Sequence, residues 1–216
     1  MQNRLFIFDL DGTLLNTIGD LAVGCDYMLT LRDLPTHTYE EYCSFVGNGI
    51  MRLVERALPE ELRTPDYVKS ARKDFVDYYI DHIDAHTIPY EGMVELVNLL
   101  QQRGAKLAVA SNKFQAGTEK LIKKFFPSIE WVEICGNREG VPRKPDPQLV
   151  TEILEYTAVG KNDVLYVGDT NVDMQTAKSA EVDCLGVSWG FRPKVELAAH
   201  NPLSIIDNPS ELLGYL

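Results

Sequence analysis

Short apolar runs recur along the chain and alternate with segments of helical periodicity. Residues 5–8 are apolar and are followed at once by Asp-Leu-Asp-Gly-Thr at 9–13, which predicts a buried strand that delivers polar side chains at its carboxyl end. Strands that alternate with helices are joined by crossover connections and form a mainly parallel sheet. The pattern therefore predicts an α/β fold, a Rossmann-like sheet with helices on both faces. The later strands are predicted at residues 106–110, 131–135, 164–167 and 184–187.

The segments between these runs carry the start and stop signals of helices. Residues 93–103 place Val94, Val97 and Leu100 on one stripe, and Gly104 follows as a stop. A second helix is predicted over residues 148–156, directly after a proline-rich turn.

Residues 17–87 interrupt the alternation of strands and helices. Helical patterns cover residues 20–32, 49–58 and 66–83, and no strand pattern lies between them. We therefore expect an inserted all-helical domain at residues 17–87 and an α/β core formed by residues 1–16 and 88–216.

Composition narrows the class of protein. The chain of 216 residues is 45% hydrophobic and 25% charged, which is ordinary for a folded globular protein. Its net charge is −11 and its sequence pI is about 4.8, so binding to nucleic acid or to an anionic membrane surface is disfavoured.

Cysteine use and hydropathy indicate the compartment. The four cysteines form no CxxC pair, and a chain of this length needs no disulfide framework. Apolar runs are too short for a signal peptide or a membrane span. We expect reduced thiols and a cytoplasmic location; the sequence leaves open whether the protein is a monomer or a homodimer.

Polar residues stand at four places: directly after three of the apolar runs, and in the turn before the helix at residues 148–156. Ligands of open α/β sheets bind beyond the carboxyl ends of the strands, so these residues are the first candidates for a site. We expect the carboxylates of Asp9, Asp11, Asp169 and Asp173 to converge at one edge of the sheet. Clustered carboxylates need a cation, and an all-oxygen set of ligands suits Mg²⁺.

Neighbouring polar residues add the other parts of a phosphoryl-transfer site. Lys144 offers a positive charge for a phosphoryl oxygen, and Ser111 and Asn112 offer neutral donors. Gly12 allows a tight turn with free backbone N–H groups, and Thr13 adds a hydroxyl that can orient a neighbouring carboxylate. Carboxylate, magnesium, lysine and hydroxyl together indicate phosphoryl transfer. A carboxylate can itself be the nucleophile, through an aspartyl-phosphate.

These motifs resemble those of the haloacid dehalogenase superfamily of phosphohydrolases. The chain has DxDGT at residues 9–13, Ser-Asn at 111–112, Lys-Pro-Asp-Pro at 144–147 and GDTxxD at 168–173, in the family's order. The resemblance covers nearly the whole chain. The helical insert is similar to the small helical cap of the phosphoglycolate-phosphatase-like group. Residues 46–49 within the insert, 89–92 at its exit and 187–192 near the end of the chain also resemble that group.

The resemblance implies a role for each matching residue. Asp9 would be the nucleophile, and Asp11 the acid that protonates the leaving group and then activates water. Mg²⁺ would be held by the Asp9 side chain, the Asp11 main-chain carbonyl and Asp169. Asp11 favours hydrolysis of phosphate esters, because the family's dehalogenases lack this second aspartate.

The phosphate-binding set follows from the same resemblance. Lys144 would neutralise the charge of the transferring phosphoryl group, and Asp173 would support this lysine and the metal's water shell. The phosphate-binding residues would be Thr13, Ser111, Asn112 and Lys144.

Substrate specificity is expected to lie in the cap. A loop with two glycines could cover the substrate, but it is equally an ordinary lead-in to a helix. An arginine one turn further on could meet a substrate carboxylate or simply be solvated. The roles of Lys113 and Arg192 stay open. The candidate specificity residues are Gly47, Asn48, Gly49 and Arg52.

The sequence thus predicts a Mg²⁺-dependent phosphatase that hydrolyses a small phosphorylated metabolite, similar to phosphoglycolate, through an aspartyl-phosphate at Asp9. A phosphosugar mutase and a pyrophosphatase or nucleotidase of the same superfamily are the enzymatic alternatives. A phosphoacceptor or binding module is the alternative that is not an enzyme.

Overall fold

A computed structural model describes residues 4–216, which contain a six-stranded sheet and a separate two-stranded pairing. The strands are β1 (Leu5–Phe8), β2 (Leu15–Asn16), β3 (Ile88–Pro89), β4 (Lys106–Phe114), β5 (Trp131–Asn137), β6 (Val164–Gly168), β7 (Asp183–Val187) and β8 (Ser204–Ile206). The large sheet has the order β5-β4-β1-β6-β7-β8, and every neighbouring pair is parallel. The predicted parallel α/β sheet is confirmed.

The side chains of β1 show why this sheet needs cover on both faces. Phe6 and Phe8 belong to one apolar cluster, and Leu5 and Ile7 belong to a second cluster on the opposite face. All four side chains are fully buried. Successive residues of a strand point to opposite faces, so a continuous apolar run predicts a strand covered on both sides.

Helices provide this cover. One face packs against α5 and α6, and the other packs against α7 and α8. No helix among residues 4–216 is both long enough and apolar enough to cross a membrane. The helices are α1 (Ile18–Thr30), α2 (Tyr39–Phe45), α3 (Ile50–Ala57), α4 (Pro65–His82), α5 (Met93–Gln102), α6 (Gln115–Phe125), α7 (Gln148–Thr157), α8 (Asn171–Ala180) and α9 (Lys194–Ala198), with short 3-10 helices at Glu60–Leu62, Lys161–Asp163 and Pro209–Tyr215.

Helices α1 to α4 lie between the two short strands β2 and β3, which pair antiparallel. We call this part of the chain the helical segment (residues 18–82). Its apolar residues, such as Leu53 and Phe75, join the same buried cluster as Phe6 and Phe8 of the sheet. The division of the chain into two domains at residues 17 and 87 stays a prediction.

The two connections to the helical segment are fastened to each other. Asp20, in the first turn of α1, is buried and accepts hydrogen bonds from the backbone N–H groups of His86 and Thr87, both at 2.8 Å. The Thr87 hydroxyl donates a third bond at 2.6 Å. Three donors satisfy this buried carboxylate, so the entering and leaving chains are held side by side.

Candidate active site

Asp9 lies at the carboxyl end of the central strand, as the sequence predicts. Its backbone N–H donates to the Val167 carbonyl of β6 at 2.9 Å, which extends the β1–β6 pairing by one residue. The residue is 7% exposed. Neighbours of β1 on both sides end at the same edge of the sheet, so the polar residues after β4 and β6 lie around Asp9.

Lys144 is the positive charge beside Asp9. Its ammonium lies 2.9 Å from Asp9 Oδ1 and 2.7 Å from Asp173 Oδ1. It also donates to the Ala110 carbonyl at 2.9 Å and the Tyr166 hydroxyl at 3.0 Å. The Lys144 side chain is 1% exposed, so these contacts fix the position of the charge.

Asp173 is held at the start of α8 by a reciprocal cap. Its Oδ2 accepts from the Thr170 backbone N–H at 3.0 Å and from the Thr170 hydroxyl at 2.7 Å, which leaves Oδ1 for Lys144. A carboxylate in the first turn of a helix is also favoured by the helix dipole. The helix cap and the lysine contact are therefore made by the same side chain, one through each oxygen.

Asp169 lies in a narrow cradle made by two glycines. The Thr13 hydroxyl donates to its Oδ1 at 3.0 Å, and the Phe191 backbone N–H donates to its Oδ2 at 2.8 Å. A Cβ atom on Gly12 or on Gly190 would stand 2.2 Å from atoms of the Asp169 side chain. Gly12 also has a φ of +90°, a conformation that favours glycine. Both positions need glycine because of this close approach.

The cluster carries more negative than positive charge. Carboxylate oxygens of Asp9, Asp169 and Asp173 lie within 4.8 Å of one another, and Lys144 contributes one positive charge. Burial, with a further contribution from Asp173, raises the pKa of Asp9 to about 7, although Lys144 opposes this rise. Burial and the two neighbouring carboxylates likewise raise the pKa of Asp169 well above its ordinary value.

The donor set fits a divalent cation. Three buried carboxylates with a single ammonium leave an uncompensated negative charge, and Asp169 has neutral hydrogen-bond donors rather than a cation as partners. Burial lowers the pKa of Lys144, but Asp173 and Asp9 outweigh it and hold that pKa well above its ordinary value, so the lysine stays charged. Oxygen ligands in this arrangement suit Mg²⁺.

Asp11 stands apart from this cluster and has a lysine of its own. Its Oδ1 accepts from the Lys113 ammonium at 2.9 Å. The Lys113 ammonium also donates to the hydroxyl of Tyr79, on α4, at 2.7 Å. Lys113 is 4% exposed, and Ser111 beside it is 1% exposed. The sequence alone assigns Lys113 no role.

The amide of Asn112 links three parts of the chain. Its Nδ2 donates to the carbonyls of Gly47 at 3.0 Å and of Lys144 at 3.1 Å, while its Oδ1 accepts from the Lys144 backbone N–H at 2.9 Å. Asn112 therefore ties the end of β4 to the loop that carries Lys144 and to the helical segment. The Thr13 hydroxyl, as noted, is directed to Asp169.

A cavity lies between the carboxyl ends of the strands and the helical segment. Asp9, Asp11 and residues 111–113 form its polar side. The opposite side is mostly apolar and comes from the helical segment, which contributes Leu21, Val46, Gly47, Gly49, Ile50, Leu53 and Tyr79. The cavity thus places a polar floor under an apolar roof.

The four candidate specificity residues divide into two pairs. Gly47 and Gly49 line the cavity. Asn48 instead accepts a hydrogen bond from Arg56, and Arg52, with a side chain 61% exposed, pairs with Glu55 at 2.5 Å. The structure therefore brings only the glycines of this set against the cavity.

Motifs in the sequence give no role to three residues in or near the site. Tyr166 lies inside an apolar strand run and looks like a core residue, yet its hydroxyl contacts Lys144. Tyr79 lies among the apolar residues of a helix. Arg192 follows the Trp-Gly-Phe sequence and donates to carbonyls at the end of α2. Each contact joins residues far apart in sequence, for which a single chain has no local signal.

Comparison with known proteins gives a consistent assignment. Residues 6–187 match the model of the haloacid dehalogenase-like hydrolase family. The chain is 32% identical over 193 residues to a phosphoglycolate phosphatase of Mesorhizobium japonicum, covering 88% of this chain and 85% of that protein. It is also 32% identical over 213 residues to a phosphoglycolate phosphatase of Pseudomonas syringae pv. tomato, covering 97% and 78% of the two chains.

A solved structure shows the same arrangement of the chain. The crystal structure of a proposed phosphoglycolate phosphatase from Lactobacillus delbrueckii subsp. bulgaricus superimposes with a TM-score of 0.92 at 31% identity, covering 98% of this chain and 97% of the other. Relatives of this kind are phosphatases, which sets aside the phosphoacceptor module as an alternative. The chain belongs to the haloacid dehalogenase-like hydrolases and is a phosphoric monoester hydrolase of that family.

Proposed function

We propose that this protein is a Mg²⁺-dependent phosphatase that hydrolyses a small phosphomonoester through an aspartyl-phosphate at Asp9. The observation that carries the proposal is the buried ammonium of Lys144, which lies 2.9 Å from Oδ1 of Asp9. Asp9 itself lines the polar side of the cavity. A lysine locked beside a nucleophilic carboxylate provides positive charge where the phosphoryl group would be transferred.

In the first half-reaction, an oxygen of Asp9 attacks phosphorus and forms a P–O bond. The ester P–O bond breaks, and its electron pair stays on the leaving oxygen. Asp11, on the same loop and against the same cavity, gives a proton to this oxygen, so an alcohol leaves.

In the second half-reaction, water attacks the phosphorus of the aspartyl-phosphate. The Asp11 carboxylate takes the proton of this water, the bond from phosphorus to Asp9 breaks, and inorganic phosphate leaves. Ser111 stands at the cavity wall, where its hydroxyl holds a phosphoryl oxygen, and Lys144 balances the charge of the phosphoryl group throughout. The Asn112 amide acts indirectly: both of its N–H groups donate to the Gly47 and Lys144 carbonyls rather than to a phosphoryl oxygen, and its Oδ1 holds the Lys144 backbone.

Asp9, Asp169 and the main-chain carbonyl of Asp11 are the proposed holders of Mg²⁺, and Asp173 supports the site from the start of α8. When bound, Mg²⁺ neutralises charge on the phosphoryl oxygens and orients the ester. Thr13 acts through Asp169, whose Oδ1 it holds at 3.0 Å.

We also propose that residues 17–87 form a cap domain that opens to admit the substrate and closes to exclude water. Support comes from the apolar roof that the helical segment places over the polar floor, and from the paired linkers at Asp20 and Thr87. The named relatives suggest phosphoglycolate as the first substrate to test, and a cytoplasmic location fits a small phosphorylated metabolite.

The experiment is a comparison of phosphate release by the unaltered protein and by Asp9→Asn. With Mg²⁺ and phosphoglycolate, and with p-nitrophenyl phosphate as a generic ester, we expect the substitution to lower kcat at least a thousandfold, about the range of a lost nucleophile. Asp81→Asn, at an exposed position of α4, is the matched control and keeps full activity. Wild-type rates for Asp9→Asn would exclude the proposed nucleophile.

A further inference from the structure

Lys113 joins the proposed acid of the core to the helical segment. Its ammonium donates to Asp11 Oδ1 at 2.9 Å and to the Tyr79 hydroxyl at 2.7 Å. Asp11 belongs to the loop after β1, Lys113 to β4 and Tyr79 to α4, so the contact spans three separate parts of the chain. All three residues line the cavity in which the ester would lie.

The position of this ammonium is tightly determined. The Lys113 side chain is 2% exposed, and its nitrogen lies 5.1 Å from the centre of the Tyr79 ring. The Tyr79 ring is stacked on Phe75, with centroids 5.0 Å apart. A buried ammonium requires polar partners, and here a carboxylate and a phenol oxygen supply them.

The geometry leaves one oxygen of Asp11 for chemistry. Oδ1 is held by Lys113, while Oδ2 accepts no hydrogen bond from any residue in the described part of the chain, 4–216. Holding one carboxyl oxygen fixes the plane of the group, and so fixes where the other oxygen points. An acid that must reach a leaving oxygen within hydrogen-bond distance depends on such orientation.

We propose that Lys113 and Tyr79 are positioning residues for Asp11: Tyr79 fixes the Lys113 ammonium, and Lys113 aims the Asp11 carboxyl at the leaving oxygen. The inference rests on the proposed phosphatase function. Because Tyr79 comes from the helical segment, the acid is aligned only when α4 lies against the core. Proton delivery to the leaving group thereby depends on the position of the cap.

Two esters of similar shape separate this role from a purely structural one. Phenyl phosphate releases a phenolate that leaves poorly without a proton, whereas p-nitrophenyl phosphate releases a stable anion that needs little help. For Tyr79→Phe and Lys113→Met, we expect kcat/KM to fall about tenfold or more for phenyl phosphate and far less for p-nitrophenyl phosphate. Asp11→Asn should lower kcat/KM for phenyl phosphate relative to kcat/KM for p-nitrophenyl phosphate in the same way. Its effect on this ratio should be the largest of the three variants, because it removes the acid itself.

Tyr78→Phe is the matched control, because Tyr78 lies on the same helix but its ring stacks on Tyr27 and His82, away from Lys113. Its ratio should equal that of the unaltered protein. If Tyr79→Phe and Lys113→Met lower both rates equally, or leave both unchanged, the positioning role is overturned. The proposed function is judged separately. It fails if the unaltered protein hydrolyses neither ester, and it stands if the single substitution Asp9→Asn abolishes hydrolysis of both esters.

Discussion

The guanidinium of Arg192 donates to the main-chain carbonyl of Val46 at 2.7 Å. It also donates to the carbonyls of Cys43 and Ser44, so one arginine of the loop after β7 closes the end of α2. Carbonyls in the last turn of a helix lack partners within the helix, and a cation there also complements the helix dipole. The preceding residue, Phe191, donates to Asp169. Two adjacent residues thus reach two different parts of the protein: Phe191 contacts the proposed metal site, and Arg192 contacts the helical segment.

If residues 17–87 act as the proposed cap, removing this arginine should weaken the closed arrangement of that cap. We expect Arg192→Met to raise KM for p-nitrophenyl phosphate by about tenfold while kcat changes much less, because the binding-competent state becomes less populated. Steady-state kinetics measure both constants. Arg103→Met, at an exposed position after α5, is the control and should change neither. An unaltered KM in Arg192→Met would show that this contact does not hold the cap.

The close approach of Gly12 and Gly190 to Asp169 predicts how a substitution changes the affinity for Mg²⁺. A methyl group on Gly12 would stand 2.2 Å from Asp169 Oδ2, and the φ of +90° adds strain for any other residue. Gly12→Ala should displace this carboxylate and weaken Mg²⁺ binding by about tenfold or more. Isothermal titration with Mg²⁺ measures the affinity directly. Gly160→Ala, where an added methyl meets nothing within 4 Å, should bind Mg²⁺ as the unaltered protein does.

Asp84 follows the end of α4, and its ion pairs predict how the stability of the protein depends on pH. Hydrogen bonds from Lys124 and Lys120 on α6, at 2.9 and 3.0 Å, lower the pKa of Asp84. A depressed folded-state pKa stabilises the protein above the ordinary aspartate pKa, and this contribution is lost as the pH falls through the lowered value. The side chains of the two lysines are about half exposed, so solvent weakens the ion pairs. Their contribution to the free energy of unfolding is about 0.5–1 kcal/mol.

Urea unfolding of the unaltered protein and of Asp84→Asn checks the direction of this pH dependence. The difference in free energy of unfolding should be present at pH 7 and should shrink toward pH 3. A difference that grows as the solution becomes more acidic would contradict the assigned direction of the pKa shift.

The sequence predicts the central strands well, because each is an apolar run long enough to be recognised. Residues 5–8 and 164–167 match β1 and β6 almost residue for residue. The run at 106–110 marks only the start of β4, which continues through the polar residues Ser111 and Asn112 to Phe114. Their polarity suggests a loop, but the backbone stays extended as it enters the site.

Short elements were missed because they lack a periodic pattern. Strand β8 has three residues and is held by its pairing with β7 rather than by its own composition. Helix α2 also went unpredicted, although a capping box between Thr38 and Glu41 marks its start and could have revealed it.

The convergence of Asp9, Asp169 and Asp173 follows from motif order, because two of them come directly after strands and the third lies in the first turn of α8 at the same edge of the sheet. The expectation that Asp11 joins them is wrong, because its carboxylate is paired with Lys113 instead. Contacts across the cavity do not follow in this way. Tyr79 is one of several aromatic residues on α4, and only the packing of that helix on the core selects it as the partner of Lys113.

Chemical trapping of the aspartyl-phosphate tests whether Asp9 is the nucleophile. Borohydride reduces an acyl phosphate to an alcohol, so adding it during turnover of p-nitrophenyl phosphate with Mg²⁺ would convert the phosphorylated aspartate to homoserine. Peptide mass spectrometry then locates the change. We expect homoserine at position 9 in the unaltered protein, and no trapping without substrate. Modification at another aspartate, or no modification during active turnover, would contradict the assignment of Asp9 as the nucleophile.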